Sequence, residues 1–137
     1  MRTAKVTRAV FDASVLVRAA IERHPSALDW IRRLDRGVDG VAPDLIWPEV
    51  ANALRGQLLA QALRRSDASQ ALQLLLKLPL TLHPTEPLVA VALETALRLK
   101  LTVYDALYVV VADVVDATLV TADRRLADAA PRAELIP

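Results

Sequence analysis

The 137-residue sequence predicts an α/β protein built on a mostly parallel sheet of roughly five strands. Three observations point there. Short β-branched or apolar runs alternate with longer stretches of helical periodicity, the rhythm of strands joined by crossover helices. No Pro-, Gly- or Ser-rich linker and no internal repeat interrupts that rhythm, so residues 1–137 read as one domain. Hydrophobic residues make up 54% and charged residues 24% of the chain, ample apolar surface to fill one core.

The first strand spans Arg8 to Phe11 and ends directly at Asp12. A helix is expected from Ser14 to about Arg23. A second runs from Pro25 to Arg36, where Leu28, Ile31 and Leu34 recur at three-residue steps and Asp29 can pair with Arg33. Gly37 and Gly40 mark its end. A short strand from Gly40 to Ala42 leads through Pro43 and Asp44 into a helix reaching about Leu63, with Val50, Ala53, Leu54, Leu58 and Ala62 on one side. Pro48 fits its first turn, where a missing N–H costs little. Ser66 and Asp67 have the chemistry of an N-terminal cap for a helix through Leu76, which stops before Pro79. Leu80 to Leu82 is the third strand. Thr85 caps the next helix, which pairs Glu94 with Arg98 and is apolar on most sides through Leu99, so it is expected to be largely covered. Thr102 opens a helix to about Val115, Thr118 to Thr121 form a fourth strand, and a short helix and a strand near Glu134 to Ile136 follow.

Composition removes several chemistries. The chain has no Cys, which excludes disulfides, thiolate metal sites and a cysteine nucleophile and fits a reducing compartment. Three Gly, at Gly37, Gly40 and Gly56, cannot assemble a dinucleotide turn or a P-loop. His24 and His83 stand alone and read as structural or solvated. The longest apolar runs, such as Ala106 to Ala112, fall far short of a membrane span of ~20 residues. The basic start, with Arg2, Lys5 and Arg8, is followed by a stretch broken at Asp12 and Arg18, so no signal peptide is expected and the protein reads as cytoplasmic. Of seventeen basic residues only Lys5, Lys77 and Lys100 are Lys; the Arg excess suits bidentate phosphate contacts but equally describes solvated helix faces.

Ligands of open parallel sheets bind beyond the carboxyl ends of the strands. Asp12 ends the first strand, Asp123 follows the fourth, Glu49 lies near the start of the third helix and Asp105 in the turn after Thr102. Right-handed crossovers bring these ends to one edge, so four acids distant in sequence can converge. Each has a local explanation as a cap or first-turn acid. Four together repel one another, and such a cluster tolerates ionisation only around a cation. Oxygen ligands alone point to Mg²⁺ or Mn²⁺, one ion or two, which lower the pKa of a bound water and offset charge on a phosphoryl group. Hydrolysis of a nucleic-acid backbone is the chemistry that set supports. Ser14, Asn52 and Thr121 are placed to support the acids, and Arg124 and Arg125 to hold substrate phosphate. Tyr104 and Tyr108 read as packing residues, and an aromatic content of 4% argues against a base-stacking platform.

The segments VFDASVLV (Val10 to Val17), PEVANAL (Pro48 to Leu54), YDALY (Tyr104 to Tyr108) and LVTADRRL (Leu119 to Leu126) resemble the PIN domain, specifically the VapC-type toxins of bacterial toxin–antitoxin pairs. The resemblance covers essentially the whole chain. It implies a three-layer α/β/α sandwich and a Mg²⁺- or Mn²⁺-dependent endoribonuclease, with Asp12, Glu49, Asp105 and Asp123 at the family's acidic positions and Ser14, Asn52 and Thr121 at its supporting ones. It also implies a homodimer inhibited by a small antitoxin. Two residues depart from the pattern: Asp116 stands where a turn Gly is common, and Asp113 replaces a commoner Glu. The stretch Met1 to Thr7 is slightly long for the family and is expected to be mobile.

Two other functions share this fold class. One is a non-catalytic module that uses its apolar surface to bind a partner. The other is a phosphatase- or receiver-like protein that phosphorylates Asp12; that chemistry needs a strand-end Lys, whereas Lys5, Lys77 and Lys100 fall before strands or at a helix end.

Overall fold

Five parallel strands carry the architecture: β1 (Arg8–Phe11), β2 (Asp39–Pro43), β3 (Leu80–His83), β4 (Thr118–Thr121) and β5 (Ala133–Leu135), in the spatial order β3-β2-β1-β4-β5. The structure is a computed structural model describing residues 5–137; the first four residues of the Met1–Thr7 stretch lie outside that range. Central β1 pairs Ala9 with Gly40 on one side and with Thr118 on the other. A strand covered on both faces must be apolar throughout, and Ala9, Val10, Phe11, Leu119 and Val120 are fully buried.

From β1 the chain steps to β2 and β3, then crosses back to β4 and β5. With right-handed crossovers the helices divide between the two faces, giving the three-layer α/β/α sandwich. One layer holds α1 (Ala13–Val17), α2 (Pro25–Arg33), α3 (Ile46–Leu59) and α4 (Arg65–Leu75), which pack on one another. The other holds α5 (Val89–Leu99), α6 (Val103–Val114) and α7 (Arg124–Ala129); α5 packs along α6. In the first layer Phe11 meets Trp30 edge to face at 6.3 Å, and the Arg33 guanidinium lies 4.1 Å over the Trp30 ring while bonding Asp29 at 2.7 Å.

The helix ends explain where expectation and structure part. α3 stops at Leu59 rather than Leu63 because Gln61 turns left-handed at φ 56. The Ala62 N–H then reaches the Gln57 carbonyl and the Gln61 N–H the Leu58 carbonyl, a Schellman ending. Gly37 at φ 96, Lys100 at φ 58 and Asp116 at φ 53 end their helices with the same reach-back bonds, from Val38 to Arg33, Leu101 to Ala96 and Ala117 to Ala112. A chain with so few glycines makes three of these four turns with other residues; Asp116 takes the expected turn and pairs with Arg132. Gly40 does not end the second helix: it sits in β2, where a Cβ would run into the Leu34 and Leu80 side chains.

Four further expectations are corrected. The first helix begins at Ala13 and widens into a π-helix, Arg18–Glu22, before Arg23 turns left-handed at φ 50. The N-cap of α4 is Arg64 rather than Ser66 and Asp67; Asp67 lies in the first turn and accepts from Arg64 Nε at 3.1 Å. Thr85 precedes a short 3₁₀ turn, Glu86–Leu88, and spends its hydroxyl on Asp44 Oδ1 at 2.7 Å instead of on a cap. Helix α5 is not largely covered: Ala92, Thr95 and Ala96 face α6, while Val89, Val91, Leu93 and Leu97 are exposed, Leu97 at 74%. Among the described residues no helix is long and apolar enough to cross a membrane.

Candidate active site

The carboxyl edge of the sheet collects the four acids from four separate elements. Asp12 follows β1 at the N-cap of α1, yet its side chain caps nothing. Instead Asp12 Oδ2 accepts from Ser14 Oγ at 2.6 Å and from Thr121 Oγ1 at 2.7 Å. Both hydroxyls are themselves oriented from behind, Ser14 Oγ accepting from the Ala122 N–H and Thr121 Oγ1 from the Asp123 N–H, each at 3.0 Å. The turn after β4 thus aims two donors at a carboxylate that is almost wholly buried. Asp123 caps α7 through Oδ1, accepting from Arg125 N at 2.9 Å, and is exposed at the rim. Asp105 sits in the first turn of α6, where the Thr102 hydroxyl accepts from its N–H at 3.1 Å. Glu49, in the first turn of α3, is half-buried.

The acids feel one another. Burial raises the pKa of Asp12 above the ordinary value, opposed by the Ser14 and Thr121 hydrogen bonds and reinforced by the charge of Asp123. Burial also raises Asp105, with the charges of Asp12 and Asp123 adding to it and Arg125 counteracting. Glu49 is pushed up to about 7, first by burial and then by Asp12 and Asp105, against a lowering hydrogen bond from Tyr108.

The remaining expected residues divide. Ser14 and Thr121 join the acids directly, as above. Asn52 lies exposed on α3 and hydrogen-bonds none of them. Arg124 is exposed; Arg125 is tethered by a 2.8 Å bond from Nη2 to the Lys100 carbonyl and sits near enough to Asp105 to lower its pKa. Tyr108 is the residue that sequence reasoning passed over. It packs as expected, fully buried, but its hydroxyl also donates to Glu49 Oε1 at 3.2 Å. The available signal was its spacing, one turn beyond Asp105 on the same side of α6.

Among the described residues no three His, Cys, Asp or Glu side chains close on a point where they would hold a metal ion by themselves. The donor set nevertheless fits one kind of ion. Oxygen-only, mutually repelling and open at the rim, it suits a hard cation that takes a few carboxylates and keeps several waters, rather than an ion in an all-protein cage.

A parallel α/β/α sandwich with carboxylates and hydroxyls gathered at its carboxyl edge defines the class, an α/β protein with an acidic, oxygen-lined site. The chain belongs to the PIN domain family, whose model matches residues 9–131. It is similar to Ribonuclease VapC1 of Mycobacterium tuberculosis, 36% identical over 88% of this chain and 89% of that protein. VapC ribonuclease Mb0985 of Mycobacterium bovis is 37% identical over 63% of this chain and 66% of its own length. Among solved structures, PAE2754 from Pyrobaculum aerophilum superposes with a TM-score of 0.74 at 27% identity, covering 93% of this chain and 82% of that one. VapBC2 from Rickettsia felis, solved bound to a promoter DNA fragment, shares the fold with a TM-score of 0.71 at 15% identity over 93% of this chain and 98% of that one.

Proposed function

We propose that this chain, acting as a single domain, is a Mg²⁺- or Mn²⁺-dependent endoribonuclease, the toxin of a cytoplasmic toxin–antitoxin pair. One observation carries the reading: carboxylates from four elements meet at one sheet edge, where burial and repulsion hold the Glu49 carboxyl near pH 7. Such an arrangement is costly for a purely structural cluster and is relieved by a cation. The similarity to VapC ribonucleases over most of the chain supports the same chemistry.

Asp12, Asp105 and Asp123 are the proposed cation ligands, and Glu49 is the fourth acid, placed to orient or deprotonate the attacking water. When bound, the cation lowers the pKa of that water and offsets charge growing on the phosphoryl group. Ser14 and Thr121 fix the direction in which Asp12 presents its carboxylate; the supporting role of Asn52 rests on its spacing one turn beyond Glu49 on α3. Arg125, with one nitrogen tied to Lys100, keeps the rest of its guanidinium for substrate phosphate beside Arg124.

The partners that go with this reading are RNA, a second copy of the chain and an antitoxin. The uncovered Leu59, Leu74 and Leu76 on and just after α3 and α4 support protein partners, since apolar side chains left in water favour being covered. The test is direct. Purified protein is expected to cut RNA with Mg²⁺ or Mn²⁺, to stop in chelator, and to lose cleavage in Asp12→Ala and Asp105→Asn while still melting cooperatively. Cleavage indifferent to chelator and to both substitutions rejects the proposal, and a short co-expressed antitoxin that fails to suppress it removes the toxin assignment.

A further inference from the structure

We infer that Tyr108 is a positioning residue for Glu49, resting on the nuclease reading above: its buried hydroxyl holds the Glu49 carboxylate in the acidic cluster across the edge of the sheet. Tyr108 is the largest fully buried side chain, set in a run of Ala, Leu and Val on α6. Phe would fill the same space. A buried phenol hydroxyl is unfavourable unless it finds a partner, and here that partner is Glu49 Oε1 at 3.2 Å, 59 residues away in sequence.

Geometry gives this bond its significance. Glu49 is on α3 in one helical layer and Tyr108 on α6 in the other. Glu side chains have three rotatable bonds and a large rotamer entropy, so a half-exposed Glu would otherwise sample solvent. Asp105 is one turn before Tyr108 on the same helix, so the hydroxyl that grips Glu49 moves rigidly with a second acid of the cluster. Tyr108 therefore sets the separation of Glu49 and Asp105, although it touches neither substrate nor reacting atoms.

The test uses full-length protein and Mn²⁺ or Mg²⁺. Tyr108→Phe removes one oxygen and is expected to fold, to leave Mn²⁺ binding measured by calorimetry little changed, and to lower kcat for RNA cleavage about tenfold or more with little change in KM. In a Glu49→Gln background the same substitution is expected to add nothing further, because its effect passes through the Glu49 carboxylate. Full additivity, or an unchanged kcat, overturns the assignment while leaving the nuclease reading intact. Wild-type protein that neither binds Mn²⁺ nor cuts RNA overturns both. If Tyr108→Phe does not fold, wild-type protein carrying 3-fluorotyrosine decides. The ¹⁹F signal of Tyr108, identified as the one surviving in Tyr104→Phe, is expected to shift as Mg²⁺ is added and to stay fixed in Glu49→Gln. A Tyr108 signal indifferent to Mg²⁺ in otherwise wild-type protein overturns the assignment.

Discussion

Asp12 shows how one buried carboxylate can be held for chemistry at the expense of stability. Two hydroxyls donate to its Oδ2, which favours the charged form, while burial and Asp123 disfavour it. Asp12→Asn keeps an oxygen for Ser14 and Thr121 and removes the charge. It is expected to abolish RNA cleavage, by about a hundredfold or more, yet to raise the melting temperature in chelator, by about 2–4 °C for each kcal/mol of repulsion relieved. A lower melting temperature would mark Asp12 as a structural carboxylate. Thr121→Val deletes a donor to the same oxygen and is expected to cost about 1.5–3 kcal/mol in urea denaturation near pH 7, whereas Thr121→Ser keeps most of it; a larger loss in Thr121→Ser than in Thr121→Val would mean that the methyl, not the hydroxyl, matters. The four acids were legible in the sequence because each lies at an element end. The Tyr108 tie to Glu49 was not, since the partner is 59 residues away, and neither was the Arg125 tether, which ends on a backbone carbonyl that has no residue signature.

The strands and the start of α6 followed from local chemistry; the starts of α4 and α5 and the end of α3 did not. The run Arg8–Phe11 was bounded as expected because Asp12 breaks an apolar stretch, and the Thr102 cap announced α6. The end of α3 was hidden because a left-handed turn normally advertises itself with Gly, and here Gln61 makes it. Gln61→Gly is therefore expected to stabilise the protein by about 0.5–1 kcal/mol, the strain of a side chain at positive φ less the added freedom of the unfolded chain. Urea denaturation with an unchanged slope checks it; a net loss would show that the Gln61 side chain makes a compensating contact. Exposure of α5 was misread for a different reason. Periodicity tells which residues share a face, but whether another element covers that face depends on the tertiary packing, and only the Ala92 and Ala96 side meets α6.

Taken as one object, the molecule concentrates its electrostatic frustration at a single edge, and this makes its stability depend on pH in a definite direction. Glu49 titrates at about 7 in the fold against 4.5 ordinarily, and Asp12 and Asp105 are raised in the same sense. The folded chain thus binds more protons than the unfolded chain across this range. Stability of the metal-free protein is full below the ordinary carboxylate values and is lost as pH climbs through the raised ones, levelling off above about 7. A divalent cation reverses the slope, because it binds the ionised carboxylates and competes with their protons. At a free concentration a hundredfold above its Kd it adds about 2.7 kcal/mol. Differential scanning calorimetry between pH 4.5 and 8 is therefore expected to give melting temperatures that fall with pH in chelator, and a separation between chelator and excess Mg²⁺ that widens toward pH 8. In Glu49→Gln, which carries no charge at any pH, the fall in chelator is expected to shrink. Parallel profiles with and without Mg²⁺ would mean that the acidic edge holds no cation, and the hydrolytic reading of the site would fall with it.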